Sequence, residues 1–185
     1  MKKLLFGTIA VLLSVTLSAQ QPTFTKDNLV GNLTIGFGSV LYSGFGYTSS
    51  VPPIALSVEK GIKDGILDKG VISVGGYLGY SAHKWEYSGW GWKYSNIVIG
   101  ARGTFHYPLV DKLDTYTGLM IGYDIVTAKE FGTSVLGYSY NSSSSGLIWS
   151  WYAGGRYYFN DKIAAVAEIG YGIAWFNIGL AYKIK

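Results

Sequence analysis

The chain has 185 residues, of which 49% are hydrophobic and only 14% charged, with 26 glycines, 16 tyrosines and no cysteine. A soluble domain usually carries about a quarter charged residues, so much of this surface is not built to face water. The lack of cysteine excludes a disulfide framework and a lipoprotein anchor, and a formal charge of +4, carried by lysines scattered through turns and ends, gives no reason to invoke nucleic acid.

Residues 1–20 read as a cleaved secretory signal. Lys2 and Lys3 form a basic start, residues 4–17 an apolar core, and Ser18, Ala19 and Gln20 a small-residue exit, with cleavage expected at Ala19 or Gln20. Residues 21–185 are then the folded domain, and losing Lys2 and Lys3 lowers the formal charge from +4 to +2. Beyond the signal there is no apolar run of about eighteen residues, hence no ordinary transmembrane helix. A membrane protein without helices must be a closed barrel.

After a polar leader, residues 29–37 alternate Leu29, Gly31, Leu33, Ile35 and Phe37 with Val30, Asn32, Thr34 and Gly36, which predicts a first strand. Residues 39–51 are rich in Gly, Ser and Tyr and run into Pro52-Pro53, which predicts a loop. Ile54, Leu56 and Val58 then oppose Ala55, Ser57 and Glu59, so the second strand carries an inward carboxylate. A Gly, Asp and Lys cluster at 61–69 reads as a turn. The third strand sets Ile72, Val74, Gly76, Leu78, Tyr80 and Ala82 against Ser73, Gly75, Tyr77, Gly79, Ser81 and His83. Residues 84–93 read as a loop holding Trp85, Tyr87, Trp90 and Trp92.

The fourth strand, 96–107, shows the code most clearly. Asn96, Val98, Gly100, Arg102, Thr104 and His106 share one face, and Ile97, Ile99, Ala101, Gly103, Phe105 and Tyr107 the other. A helix of that length would put Arg102 and Phe105 on the same side. After a short turn at 108–113, the fifth strand points Thr117, Leu119, Ile121, Tyr123 and Ile125 outward and Asp114, Tyr116, Gly118, Met120, Gly122 and Asp124 inward. Residues 127–145 read as the longest loop, ending in Asn141 and four serines.

The sixth strand sets Leu147, Trp149, Trp151, Ala153, Gly155, Tyr157 and Phe159 against Ile148, Ser150, Tyr152, Gly154, Arg156 and Tyr158. A turn at 160–162, a seventh strand from Ile163 to Tyr171 with Glu168 inward, a hairpin at 172–175 and an eighth strand over 176–184 complete the chain. Eight segments of about nine to eleven residues predict an all-β fold, an eight-stranded antiparallel up-and-down transmembrane β-barrel. Such barrels keep short turns in the periplasm, so 39–51, 84–93 and 127–145 are expected outside.

A signal peptide, eight alternating segments, aromatics near both ends of the outward faces and a last strand at the chain terminus together resemble the small outer-membrane β-barrel families of the OmpX and OmpA-barrel kind. The resemblance is one of architecture and covers the whole mature chain. It implies a monomer in the outer-membrane lipid of a Gram-negative cell, exported through the periplasm, placed by the barrel-insertion machinery and facing an extracellular partner of unknown kind. Such barrels commonly finish with an aromatic residue, whereas this chain ends Tyr182-Lys183-Ile184-Lys185; Phe176, Ile178, Leu180 and Tyr182 carry the nearest alternating pattern. A soluble lipocalin-like barrel also has eight strands, but it would turn Arg102 and Glu168 to water and Ile97, Ile99 and Phe105 inward. The Trp and Tyr bands near the strand ends favour a membrane.

An eight-stranded barrel is just wide enough for its own side chains to fill. The inward charges are Glu59, Arg102, Asp124, Arg156 and Glu168, accompanied by Tyr77, Tyr116, Tyr152 and Tyr158. If Phe159 pairs with Ile163, Gly154 lies opposite Glu168 and Arg156 becomes its diagonal neighbour, about 7–8 Å away at the backbone. Buried charges need partners, so Arg102 and Arg156 are expected to bind Glu59 and Glu168, with Asp124 a further candidate, in a network that plugs the lumen. A narrow ion or small-solute pore would require those pairs to rearrange.

Ser81, His83 and Glu86 are the material for a lipid-modifying enzyme, since Ser and His two apart on a strand share a face. That face points inward, away from the lipid such chemistry would need, so no catalytic residue is assigned. No Cys, His and carboxylate cluster has metal-ligand spacing, and neither a metal nor a cofactor is expected. Trp85, Tyr87, Trp90 and Trp92 are the candidates for interaction, as an adhesive or sugar-stacking loop or as an interfacial belt.

Overall fold

The computed structural model describes residues 23–39, 41, 46–132 and 141–185; the signal segment expected at 1–20 lies outside them. Eight strands follow in chain order: β1 (Leu29–Ser39), β2 (Tyr47–Ile66), β3 (Gly70–Tyr87), β4 (Trp90–Val110), β5 (Leu113–Phe131), β6 (Asn141–Tyr158), β7 (Ile163–Tyr171) and β8 (Ala174–Lys183). Each pairs antiparallel with the next, and β1 pairs with β8 from Val30↔Lys183 to Ser39↔Ala174, which closes the sheet. Closure follows from the alternation. A sheet whose outer face is apolar through its middle satisfies its backbone in lipid only if it has no edge there.

The two faces sort as their residues dictate. Asn32, Thr34, Ser57, Ser73, Asn96, Arg102, Thr104 and Glu168 are buried inside, whereas Leu33, Ile35, Leu56, Leu78, Ile99, Leu119, Ile121 and Leu180 are exposed on the outside. Aromatic pairs bound this apolar belt. Trp149 with Tyr171, Tyr171 with Trp175 and Phe37 with Phe176 form one girdle, at ring separations of 5.7, 5.5 and 6.4 Å. Phe105 with Tyr107 and Tyr157 with Phe159 form the other, at 6.3 and 6.0 Å. An apolar exterior between aromatic girdles, around a polar interior, is the arrangement of a barrel solvated by lipid.

At one rim, called here the turn rim, the connections are tight. Leu67 and Asp68 take left-handed φ values of 50° and 72° between β2 and β3, and Lys112 takes 61° between β4 and β5. Between β6 and β7 the Asn160 side-chain oxygen accepts bonds from the backbone N–H of Lys162 and Ile163, at 2.9 and 2.8 Å. That is an Asx turn, which asparagine supports with its own carbonyl.

At the opposite, loop rim the strands run further than the sequence predicts. Residues 84–93 are not a loop: Lys84↔Lys93, Trp85↔Trp92, Glu86↔Gly91 and Tyr87↔Trp90 pair directly. Ser88 and Gly89 close this hairpin with φ values of 49° and 81°, the two-residue turn whose twist suits antiparallel strands. Likewise β5 continues to Phe131, and the serine run is a strand, with Thr127↔Ser143 and Ala128↔Ser142. β2 begins at Tyr47 and passes through Pro52-Pro53, which sit where its register against β3 slips between Val51↔Ala82 and Ile54↔Tyr80. Among the described residues β1 pairs with β2 only as far as Ile35↔Ile54. A bulge without a second neighbour is one of the few strand settings that spares the missing proline N–H.

The consequence is a lopsided barrel. β7 and β8 have 9 and 10 residues, enough to cross a bilayer at a tilt, whereas β2 to β6 have 20, 18, 21, 19 and 18. These strands rise past the girdle as a wall with an inner and an outer face. The last β6–β7 pair is Trp151↔Tyr171, so among the described residues the upper part of β6 has β5 alone as neighbour.

The seam between β1 and β8 leaves no room for added bulk. A Cβ on Gly179 would collide with the Leu33 carbonyl. We expect Gly179→Ala to destabilise the barrel by about 1–3 kcal/mol, read as a lower urea midpoint in lipid vesicles; an unchanged midpoint would show that the seam yields.

Candidate functional site

The inward charges collect in two clusters stacked along the lumen. Towards the turn rim, Arg156 is fully buried and binds two carboxylates. Its Nη1 lies 2.6 Å from Glu59 Oε1 and its Nη2 2.6 Å from Asp114 Oδ2, with Nε donating to the same Asp114 oxygen at 2.9 Å. Asp114 and Arg156 are direct cross-strand partners on β5 and β6, and Glu59 reaches in from β2. His106 closes the group, with Nδ1 2.9 Å from Asp114 Oδ1 and Nε2 2.9 Å from Ser73 Oγ, which donates to Glu59 Oε2 at 3.0 Å.

The N-terminal leader seals this cluster from below. Phe24, 2% exposed, stacks on His106 at 4.1 Å between ring centroids, and the Arg156 guanidinium lies 5.1 Å from its ring centre. The Lys183 ammonium holds the leader by donating to the Thr23 carbonyl at 2.7 Å, and the Asp27 N–H donates to the Gly61 carbonyl at 3.0 Å.

The second cluster lies further up. Arg102 Nη2 is 2.7 Å from Glu168 Oε1, tying β4 to β7 across the lumen, and the Tyr116 hydroxyl donates to the same oxygen at 2.9 Å. The guanidinium lies 3.8 Å from the centre of the Tyr152 ring, a cation–π stack. Above it Val98, Met120, Tyr152 and Ile173 form an apolar layer. Beside the Arg102 cluster lies a cavity of about 20 Å³ lined by Tyr77, Arg102, Ser150, Tyr152, Glu168 and Asn177, room for about one water.

The partners differ in detail from those expected. Gly154 does lie opposite Glu168, but Arg156 turns away from Glu168 to Glu59 and Asp114, leaving Glu168 to Arg102. Asp124 joins neither cluster; it accepts a 2.8 Å bond from Asn96 Nδ2, nearer the loop rim. Asp114 and His106 were legible as inward residues, and the register of β5 against β6 makes Asp114 the direct neighbour of Arg156. Nothing in the sequence marked Phe24.

Ser81, His83 and Glu86 do not assemble a triad. Ser81 Oγ makes no hydrogen bond among the described residues, so it has no base in reach, and Glu86 is an exposed partner of Lys84 at 2.5 Å. Instead, Trp85, Tyr87, Trp90 and Trp92 share the inner face of the wall. Trp90 stands edge-on to Trp85 and Trp92 at 6.0 and 6.5 Å and donates its indole N–H to Glu130, while Tyr87 is 72% exposed. Beside them a cleft of about 370 Å³ is lined by Trp92, Tyr94, Val126, Ala128, Ser142 and Ser144. Burial, reinforced by neighbouring Tyr47, raises the Tyr94 phenol above its usual pKa.

Two solved structures place this architecture. The N-terminal β-barrel domain of Pseudomonas aeruginosa OprF matches with a TM-score of 0.52 at 11% identity, covering 86% of this chain and 98% of that one. The chain has the fold of the small outer-membrane β-barrels. Ail, the attachment invasion locus protein of Yersinia pestis, matches with a TM-score of 0.50 at 14% identity over the same shares, 86% and 98%. No protein-family model and no curated protein matches the sequence.

Removing one member of a buried ion cluster leaves its partners uncompensated. We expect Arg156→Ala, which strands Glu59 and Asp114, to cost about 3–5 kcal/mol of stability. Asp124→Asn, which touches only a hydrogen bond, should cost no more than about 1 kcal/mol. Urea unfolding in lipid vesicles, followed by tryptophan fluorescence, measures both; equal losses would contradict the separation of Asp124 from the clusters.

Proposed function

We propose that this chain is an integral, monomeric outer-membrane barrel with a closed lumen, whose role is structural and interactive rather than catalytic or conductive. The observation that carries the reading is the division of labour along the barrel axis. The lumen is packed with paired charges and covered by Phe24 at one end and an apolar layer at the other, while aromatic and hydroxylated side chains stand above the belt. There the wall of β2 to β6 offers an aromatic inner face, a serine-lined cleft and the one-sided upper strand of β6, all suited to contact with an extracellular partner. In this reading residues 1–20 direct export and are removed, and the barrel-insertion machinery places the remainder in the membrane.

A conducting role would require both charge clusters and the Phe24 contact to open together, since each lies across the path. We therefore expect the refolded mature chain, its folding confirmed by a heat-sensitive shift on a denaturing gel, to be silent in a planar bilayer. Discrete conductance steps that change in Arg102→Ala would contradict the closed lumen and make the clusters a gate.

A further inference from the structure

The outer face of the wall changes composition in ranks as it leaves the belt. Tyr80, Ile97 and Ile125 are successive cross-strand partners on β3, β4 and β5; two residues on come Ala82, Ser95 and Thr127; two further on come Lys84, Lys93 and Lys129. Steps of two keep all nine positions on one face of the sheet. The face therefore passes from apolar to small and hydroxylated to cationic, beginning at the girdle.

The lysine rank is unfavourable on its own terms, because like charges directly opposite each other on a sheet repel. Glu86 answers Lys84, at 2.5 Å, and the Lys84 ammonium also lies 4.5 Å from the centre of the Phe131 ring. Lys93 and Lys129 are both exposed and face each other with no carboxylate in ion-pair reach among the described residues, which include all 11 acidic side chains of the chain. Within the protein, then, the facing pair is answered by no carboxylate, and a counter-charge, where one is present, comes from the surroundings. Beside the outer face of a barrel, just above its aromatic girdle, lies the headgroup layer of the membrane.

We propose that Lys93 and Lys129, flanked by Lys84, dock net-anionic phosphate groups, whose charge is not cancelled by an ammonium in the same headgroup, on lipids of the leaflet that surrounds the loop rim. The proposal rests on the outer-membrane reading above and specifies how the wall stands on its lipid. Two adjacent ammonium groups outside the belt complement a phosphorylated headgroup by charge, and the rank of Ser95 and Thr127 beneath them leaves the approach from the acyl boundary unobstructed by bulk.

The test uses the full mature chain refolded into nanodiscs of zwitterionic phospholipid, alone or doped with a phosphorylated glycolipid or with the same glycolipid after phosphate removal. Phosphorylated glycolipid should raise the thermal unfolding midpoint at least twice as much as its dephosphorylated form. A Lys93→Gln, Lys129→Gln double variant, which keeps most of the aliphatic stems, should lose that difference, whereas Lys162→Gln at the turn rim should retain it. Equal shifts from both glycolipids, an unaltered difference in the double variant, or the same shift from inorganic phosphate would overturn the proposal. Folding in the zwitterionic disc with no phosphate preference refutes the docking rank alone; failure of the chain to insert into any bilayer refutes the outer-membrane reading and the docking rank with it.

Discussion

Closure of β1 onto β8 is the constraint from which the rest of the structure follows. Strands surrounded by lipid have no water to satisfy an open edge, so every backbone group within the belt must find its partner in the neighbouring strand. Once the ring is closed, the period of two sorts each strand into a lipid face and a lumen face. Polar residues then have nowhere to go but inward, and any charge among them must be answered inside the barrel.

The two arginines are those answers, and their geometry explains why they lie where they do. Arg156 is anchored by its direct neighbour Asp114 and by Glu59 from β2, while Arg102 binds Glu168 on β7. Ties between strands that are not adjacent fix the cross-section of the ring, which hydrogen bonds between adjacent strands leave free to flatten. Such clusters need not be more stabilising than an apolar filling of the same shape, because burying ions costs nearly what their attraction returns. Their contribution is selectivity: a slip of register by one residue would turn Arg102 or Glu168 into lipid.

Much of this was legible in the sequence. The fold class, the inward and outward residues of β4, β5 and β6, and the opposition of Gly154 and Glu168 follow from alternation and one assumed turn, because a period of two is a strong local signal when one side is lipid. The strand ends at the loop rim were not. Above the belt neither face of the wall meets acyl chains, so the apolar half of the code disappears, and Gly, Ser and Pro there read as loop although cross-strand pairing holds them in the sheet. The choice of ion partner was also out of reach. Asp114 and Glu168 are both near Arg156 by register, and which one an arginine binds depends on how side chains cross the lumen. Phe24 lies in a leader with no periodicity, and its burial comes from the mouth of the barrel that it fills.

The unequal strands give the molecule two chemistries on one sheet: below the girdle the outer face is apolar and the inner polar; above it the inner face carries the aromatics and the outer the lysines. The most direct test of this arrangement is depth-resolved quenching of single-tryptophan variants by phospholipids brominated along the acyl chain. Trp149 and Trp175, exposed on the outer face beside the girdle, should be quenched strongly by bromines close to the headgroup. Trp90, on the inner face of the wall, should be unaffected at every depth. Strong quenching of Trp90, or none of Trp149 and Trp175, would contradict the closed barrel with a lipid-facing exterior.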